Sequence, residues 1–211
     1  VIEWEEGVRM PTMPQARAAA HVYGRPLALL FSAAVPQDPA TPPDFRPAAG
    51  GEPPTVTPEL RQEVRVAQAR RETAIELDPV ARQPISELIG SLTIDSDAEA
   101  SAIRIRPLLL VTWAAQLGWR DNYAALNAWR AALESLGILV FRFSGVPTAV
   151  VRGFSLSGST YPVVALNSTD APTGRAFTLM HELGHLLVGT GGICDLDDRE
   201  HAASRISRST V

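Results

Sequence analysis

The sequence predicts an α+β fold, with a helical layer, a small antiparallel sheet of three strands and one closing helix. Three observations carry that prediction. Apolar residues recur at helical spacing up to about residue 136. Between 138 and 166 the texture changes to short runs of Val, Ile and Phe cut by Gly, Pro and Ser. From 175 the helical spacing returns, and it stops at Gly189 and the Gly191-Gly192 pair. Composition agrees, since 45% of the 211 residues are hydrophobic and 20% charged, a globular balance and not a disordered one.

Taken in order, residues 1–35 are compact and helical in pattern. Eight prolines then fall between Pro36 and Pro58, with Gly50-Gly51 among them, so 36–57 reads as a proline-rich linker. A second domain is expected over 58–211. Thr57 can cap its first helix and Pro58 suits the first helical position. Leu60, Val64, Ala67 and Ala74 lie on one face of that helix, and Arg61, Arg65 and Arg70 on the other. Further helices are expected over 101–116 and 122–136. The latter has Leu126, Trp129, Leu133 and Leu136 spaced for burial and Gly137 as its stop. Strands are expected at 138–143, 149–154 and 162–166, and the last helix at 175–188.

Several function classes are excluded early. A net charge of −4 and a pI near 5.6 oppose a chain-wide nucleic-acid surface. Arg61, Arg65, Arg70 and Arg71 form one basic cluster, but Glu63, Glu72 and Glu76 interleave with them, as on a solvated, ion-paired helix. The one cysteine, Cys194, rules out a disulfide framework. No apolar stretch approaches the roughly 20 residues of a membrane span, and no secretory leader is visible, so the expected location is cytoplasmic, away from membranes. The chain opens at Val1 inside patterned sequence, and its true start is expected upstream.

The chemistry concentrates in His181-Glu182-Leu183-Gly184-His185, an HExxH pattern on the last helix. Residues four apart share a helix face, so both imidazoles can reach one zinc ion at ~2.0–2.1 Å. Glu182 sits beside that face as a candidate general base. Ala176, Leu179, Met180, Leu183 and Leu187 make the expected buried stripe, and Thr178, His181, Glu182 and His185 the polar one. The alternative is a chance grouping on a solvated face. The otherwise apolar helix argues against it, because buried imidazole and carboxylate need partners.

Arg175-Ala-Phe-Thr-Leu-Met-His-Glu-Leu-Gly-His185, preceded by Tyr161-Pro-Val-Val-Ala-Leu-Asn167, resembles the ImmA/IrrE family of bacterial zinc metallo-endopeptidases. The Phe141-Arg142-Phe143 and Arg152-Gly153-Phe154-Ser155 blocks fit the same pattern. The resemblance implies a minimal zincin-like fold, His181 and His185 as zinc ligands and Glu182 as general base. It further implies main-chain pairing of an extended peptide with a sheet strand. It also implies a third ligand, a glutamate on a following helix, which is expected beyond Val211. Within the chain the nearby donors are Asp195, Asp197, Asp198, Glu200 and His201, which read as surface groups, and Cys194, either a soft ligand or a small buried side chain.

The segment Ile2-Glu3-Trp4-Glu5-Glu6-Gly7, with Pro11-Thr12 and Ala19-Ala20-His21-Val22-Tyr23-Gly24, resembles the end of an XRE/Cro-type helix-turn-helix domain. Residues 1–6 would be the tail of its recognition helix, and 11–23 and 26–31 the next two helices. His21 reads as a packing or surface residue and Trp4 as a core anchor. Together the resemblances imply a zinc endopeptidase whose protein substrate is a helix-turn-helix repressor. DNA contact would come only through a full-length N-terminal domain. The competing expectation is a DNA-binding regulator whose peptidase-like domain senses or is inactive.

Overall fold

A computed structural model of the chain describes residues 2–32, 57–78, 87–158, 160–189 and 193–194. The linker expected at 36–57, save Thr57, therefore lies outside the described residues. The chain divides into two compact units, Val1–Thr41 and Pro42–Val211.

The first unit holds α1 (Ile2–Glu5), α2 (Met13–Val22) and a 3-10 turn at Leu27–Phe31. Pro14 sits in the first turn of α2, and the Thr12 N–H donates to Gln15 Oε1 at 2.9 Å. Among its described residues only Ala16 and Ala20 are buried hydrophobics, while Val8, Met10 and Val22 stay exposed.

The second unit starts with α3 (Pro58–Leu77), where Thr57 Oγ1 accepts the Leu60 N–H at 3.2 Å, the expected cap. The helix expected over 101–116 is divided into α4 (Ala98–Ile105), a 3-10 turn at Arg106–Leu109 and α5 (Trp113–Leu117). Pro107 is the reason, because it lacks an amide donor and its ring collides with the preceding turn. Leu110 then takes a left-handed φ of 54°, and Thr112 caps α5 through Ala115 N–H at 3.1 Å. Next come α6 (Asn122–Ser135), β1 (Leu139–Phe143), β2 (Gly153–Leu156), β3 (Val163–Asn167), α7 (Pro172–Val188) and the short β4 (Ile193–Cys194).

The mixture of helix and sheet is as expected, but the sheet is not an antiparallel meander. Its order is β1-β3-β2-β4, with β1 parallel to β3 and the β2–β3 and β2–β4 pairs antiparallel. All five residues of β3 are buried, so this strand gains most at the centre, covered on both faces. β1 exposes Arg142 and takes the edge. Residues 149–152 are not strand either. Pro147 O accepts from Val150 N–H at 2.9 Å and Val151 N–H at 3.2 Å, so an apolar run that reads as strand is a turn, in which Val151 alone is buried.

Alternation along the strands divides the core into two. Phe143, Phe154, Val163 and Ala165 pack with Leu60, Val64 and Ala67 of α3. Val140, Val164 and Leu166 face the other way, into α6 and α7, where Leu126, Leu133, Leu179 and Leu186 complete the cluster. The arginines of α3 are used structurally. Arg71 donates twice to Thr160 O, at 2.9 and 3.1 Å, and burial holds its guanidinium pKa below the usual value. Arg70 lies 5.5 Å from the Phe141 ring centre. Among the described residues no helix is long and apolar enough to cross a membrane.

Candidate active site

The site is built on α7, and the chain fixes both ends of that helix. Before it, Asn167 is wholly buried with both amide functions occupied. Its Nδ2 donates to Val146 O (2.8 Å) and Val151 O (3.0 Å), while its Oδ1 accepts from Thr169 N–H and Oγ1. One side chain thus ties the turn between Val146 and Val151 to the β3–α7 connection. Asp170 adds an ion pair with Arg152 at 3.2 Å and accepts the Ala171 N–H. At the far end, Gly90 and Leu92 N–H donate to Leu186 O and Leu187 O, satisfying carbonyls that a helix terminus leaves over. Gly189, at φ 79°, closes the helix.

Gly153 sets how closely α7 lies on the sheet. A Cβ there would come within 2.5 Å of Thr178 Cγ2 and 2.8 Å of Ala165 O, so only glycine allows this approach.

The buried arc of α7 differs from the sequence expectation. It comprises Arg175, Thr178, Leu179, Glu182, Leu183, Leu186 and Leu187, whereas Ala176 and Met180 are only half-buried. Thr178 and Glu182, expected on a polar stripe, face inward. The helix is covered by the sheet on one side and α6 on the other, so the arc removed from water is wider than an apolar stripe alone predicts. Glu182 has no exposed surface. His181 and His185 lie half-buried at the margin of the arc.

Their Nε2 atoms are 3.1 Å apart. Two nitrogens bound ~2.0–2.1 Å from one tetrahedral ion would stand about 3.3 Å apart, so the pair fits the near half of a zinc site. Both protons cannot occupy that gap, so at least one ring presents a lone pair there. The Phe177 ring stacks beside His181 at 6.0 Å and fixes the outer flank. Among the described residues no group of three or more His, Cys, Asp or Glu converges to hold an ion. Asp195, Asp197, Asp198, Glu200 and His201 lie outside the described residues. Cys194 is in β4, its backbone in register with Gly153.

Sequence reasoning missed Gly153, Ser155 and the anchoring role of Asn167. Ser155 is fully buried, and its Oγ has no hydrogen-bond partner among the described residues. An apolar cleft of about 650 Å³ flanks the opposite side of α7, lined by Ile105, Leu109, Trp113, Trp129, Met180 and Leu183 among others.

No curated protein and no solved structure matches the chain. Residues 133–208, from the end of α6 through α7 and beyond, match the family model described as the IrrE N-terminal-like domain, Peptidase_M78, and this part of the chain is similar to metallopeptidases of the ImmA/IrrE family.

Proposed function

We propose that the chain is a zinc-dependent endopeptidase with a minimal zincin-like fold, His181 and His185 holding the ion and Glu182 acting as general base. The observation that carries this reading is the 3.1 Å Nε2 pair beside a wholly buried carboxylate. When bound, zinc would polarise a peptide carbonyl and supply a water acidic enough to lose its proton near neutral pH. Glu182 takes that proton and returns it to the leaving amine nitrogen. Phe177 and the packing of α7 on β2 and β3 limit ring and helix movement, so the donors are set before substrate arrives. The substrate proposed is a helix-turn-helix transcriptional repressor, encountered in the cytoplasm.

The test is metal analysis combined with cleavage of such a repressor. His185→Ala should lose the zinc that the parent chain retains. Glu182→Gln should keep its zinc and lose about 10²–10⁴-fold in cleavage rate. Unchanged occupancy in His185→Ala would overturn the ligand assignment, and near-parental cleavage by Glu182→Gln the general-base assignment.

A further inference from the structure

We infer that Ser155 is a positioning residue for Glu182, its hydroxyl and the carboxylate forming one buried polar pair between β2 and α7, joined through a single bridging water. The inference rests on the proposed role of Glu182 for its functional meaning, but not for its geometry.

The register places the two residues opposite one another. Phe154 and Leu156 belong to the core on the α3 side, so Gly153 and Ser155 project from the other face of β2, toward α7. Gly153 lies directly under Thr178. The four-residue link 168–171 returns α7 antiparallel to β3, and β2 is also antiparallel to β3, so β2 and α7 run the same way. From Gly153 to Ser155 the strand advances about 6.6 Å. From Thr178 to Glu182 the helix advances about 6.0 Å and turns by only about 40°. The step that begins at one contact therefore ends with Ser155 facing Glu182.

Burial gives the juxtaposition its chemical meaning. Both residues have no exposed surface, and the Ser155 hydroxyl is a donor in want of an acceptor among the described residues. Facing groups slightly beyond direct contact are commonly joined by one internal water. A hydroxyl held by the sheet would fix the rotamer of a carboxylate that must accept and release a proton on its other side. Small size alone would not call for serine here, since alanine would serve the same packing.

The test is a double-mutant cycle on the full chain, read by thermal unfolding. Ser155→Ala should lower the midpoint by about 2–10 °C with Glu182 present. In a Glu182→Leu background the same change should have a small fraction of that effect. Ser155→Cys keeps the shape and a weaker donor, and should fall between serine and alanine should the alanine variant fold poorly. Equal losses in both backgrounds would overturn the inference. In the cleavage assay Ser155→Ala should lower kcat about tenfold with KM unchanged. A coupled cycle in a chain that cleaves nothing would refute the peptidase reading and leave the pair standing. An additive cycle in an active peptidase would do the reverse.

Discussion

Asn167 shows how one residue organises the approach to the site. Its amide serves the Val146 and Val151 carbonyls on either side of the turn and two groups of Thr169 without exposing any surface. Asn167→Ala should therefore strand two buried carbonyls and cost about 2–4 kcal/mol, read as a lowered urea midpoint at unchanged slope. A loss below a few tenths of a kcal/mol would show that the turn holds itself. The sequence contains this residue within a family-like stretch, but nothing in its spacing reveals that it bonds backward to Val146 and Val151. Glu182 carries a related lesson. Its type and its place between two histidines are legible, while its complete burial depends on a sheet that the helix pattern does not mention.

At the scale of elements, two local devices decide whether helices sit where the site needs them. Asp121 caps α6 by accepting the Ala124 N–H at 2.8 Å, and this bond holds its carboxyl below the usual 3.8. A carboxyl lowered in the folded state stabilises the fold fully above its unfolded value, and that contribution is lost as pH falls through the folded one. Asp121→Ala should thus lower the melting temperature by a few degrees at pH 7, and the difference from the parent should shrink on acidification below about 4. A constant difference down to pH 2 would remove the cap from the account. Gly153 is the second device. Gly153→Ala should cost at least about 1–3 kcal/mol, because Ala165 O is backbone and cannot withdraw. Thr178→Ser, which removes the clashing methyl, should restore part of the loss in unfolding experiments and none if the clash is elsewhere.

For the whole molecule, the measurable consequence of the proposed metal site is linkage between binding and folding. Zinc at about a hundred times its dissociation constant should add about 2.7 kcal/mol, a rise in melting temperature of about 5–10 °C for a unit of this size. A strong chelator should reverse the shift, and His181→Ala should not show it. An equal rise in His181→Ala would place the ion elsewhere. The matching region begins at residue 133, so α3, α4 and α5 are features of this chain outside that match. Nevertheless α3 packs Leu60, Val64 and Ala67 against one face of the sheet, and α4 and α5 form one wall of the apolar cleft.

Local physics made part of this legible in the sequence alone. The Thr57 cap, the glycine stop at 189, the Leu60–Val64–Ala67 stripe and the four-residue histidine spacing follow from neighbours close along the chain. Short-range sterics and helical period decide such features without reference to distant residues. Pro107 divides the helix expected over 101–116, and the apolar spacing on either side of it hides that break. Only the tertiary structure decided the strand order, because parallel pairing of β1 with β3 depends on which strand profits most from cover on both faces. The same holds for Gly153 under Thr178 and for the inward turn of Glu182. Both are consequences of a helix laid on a sheet, contacts between residues far apart in sequence that leave no periodic trace in either segment.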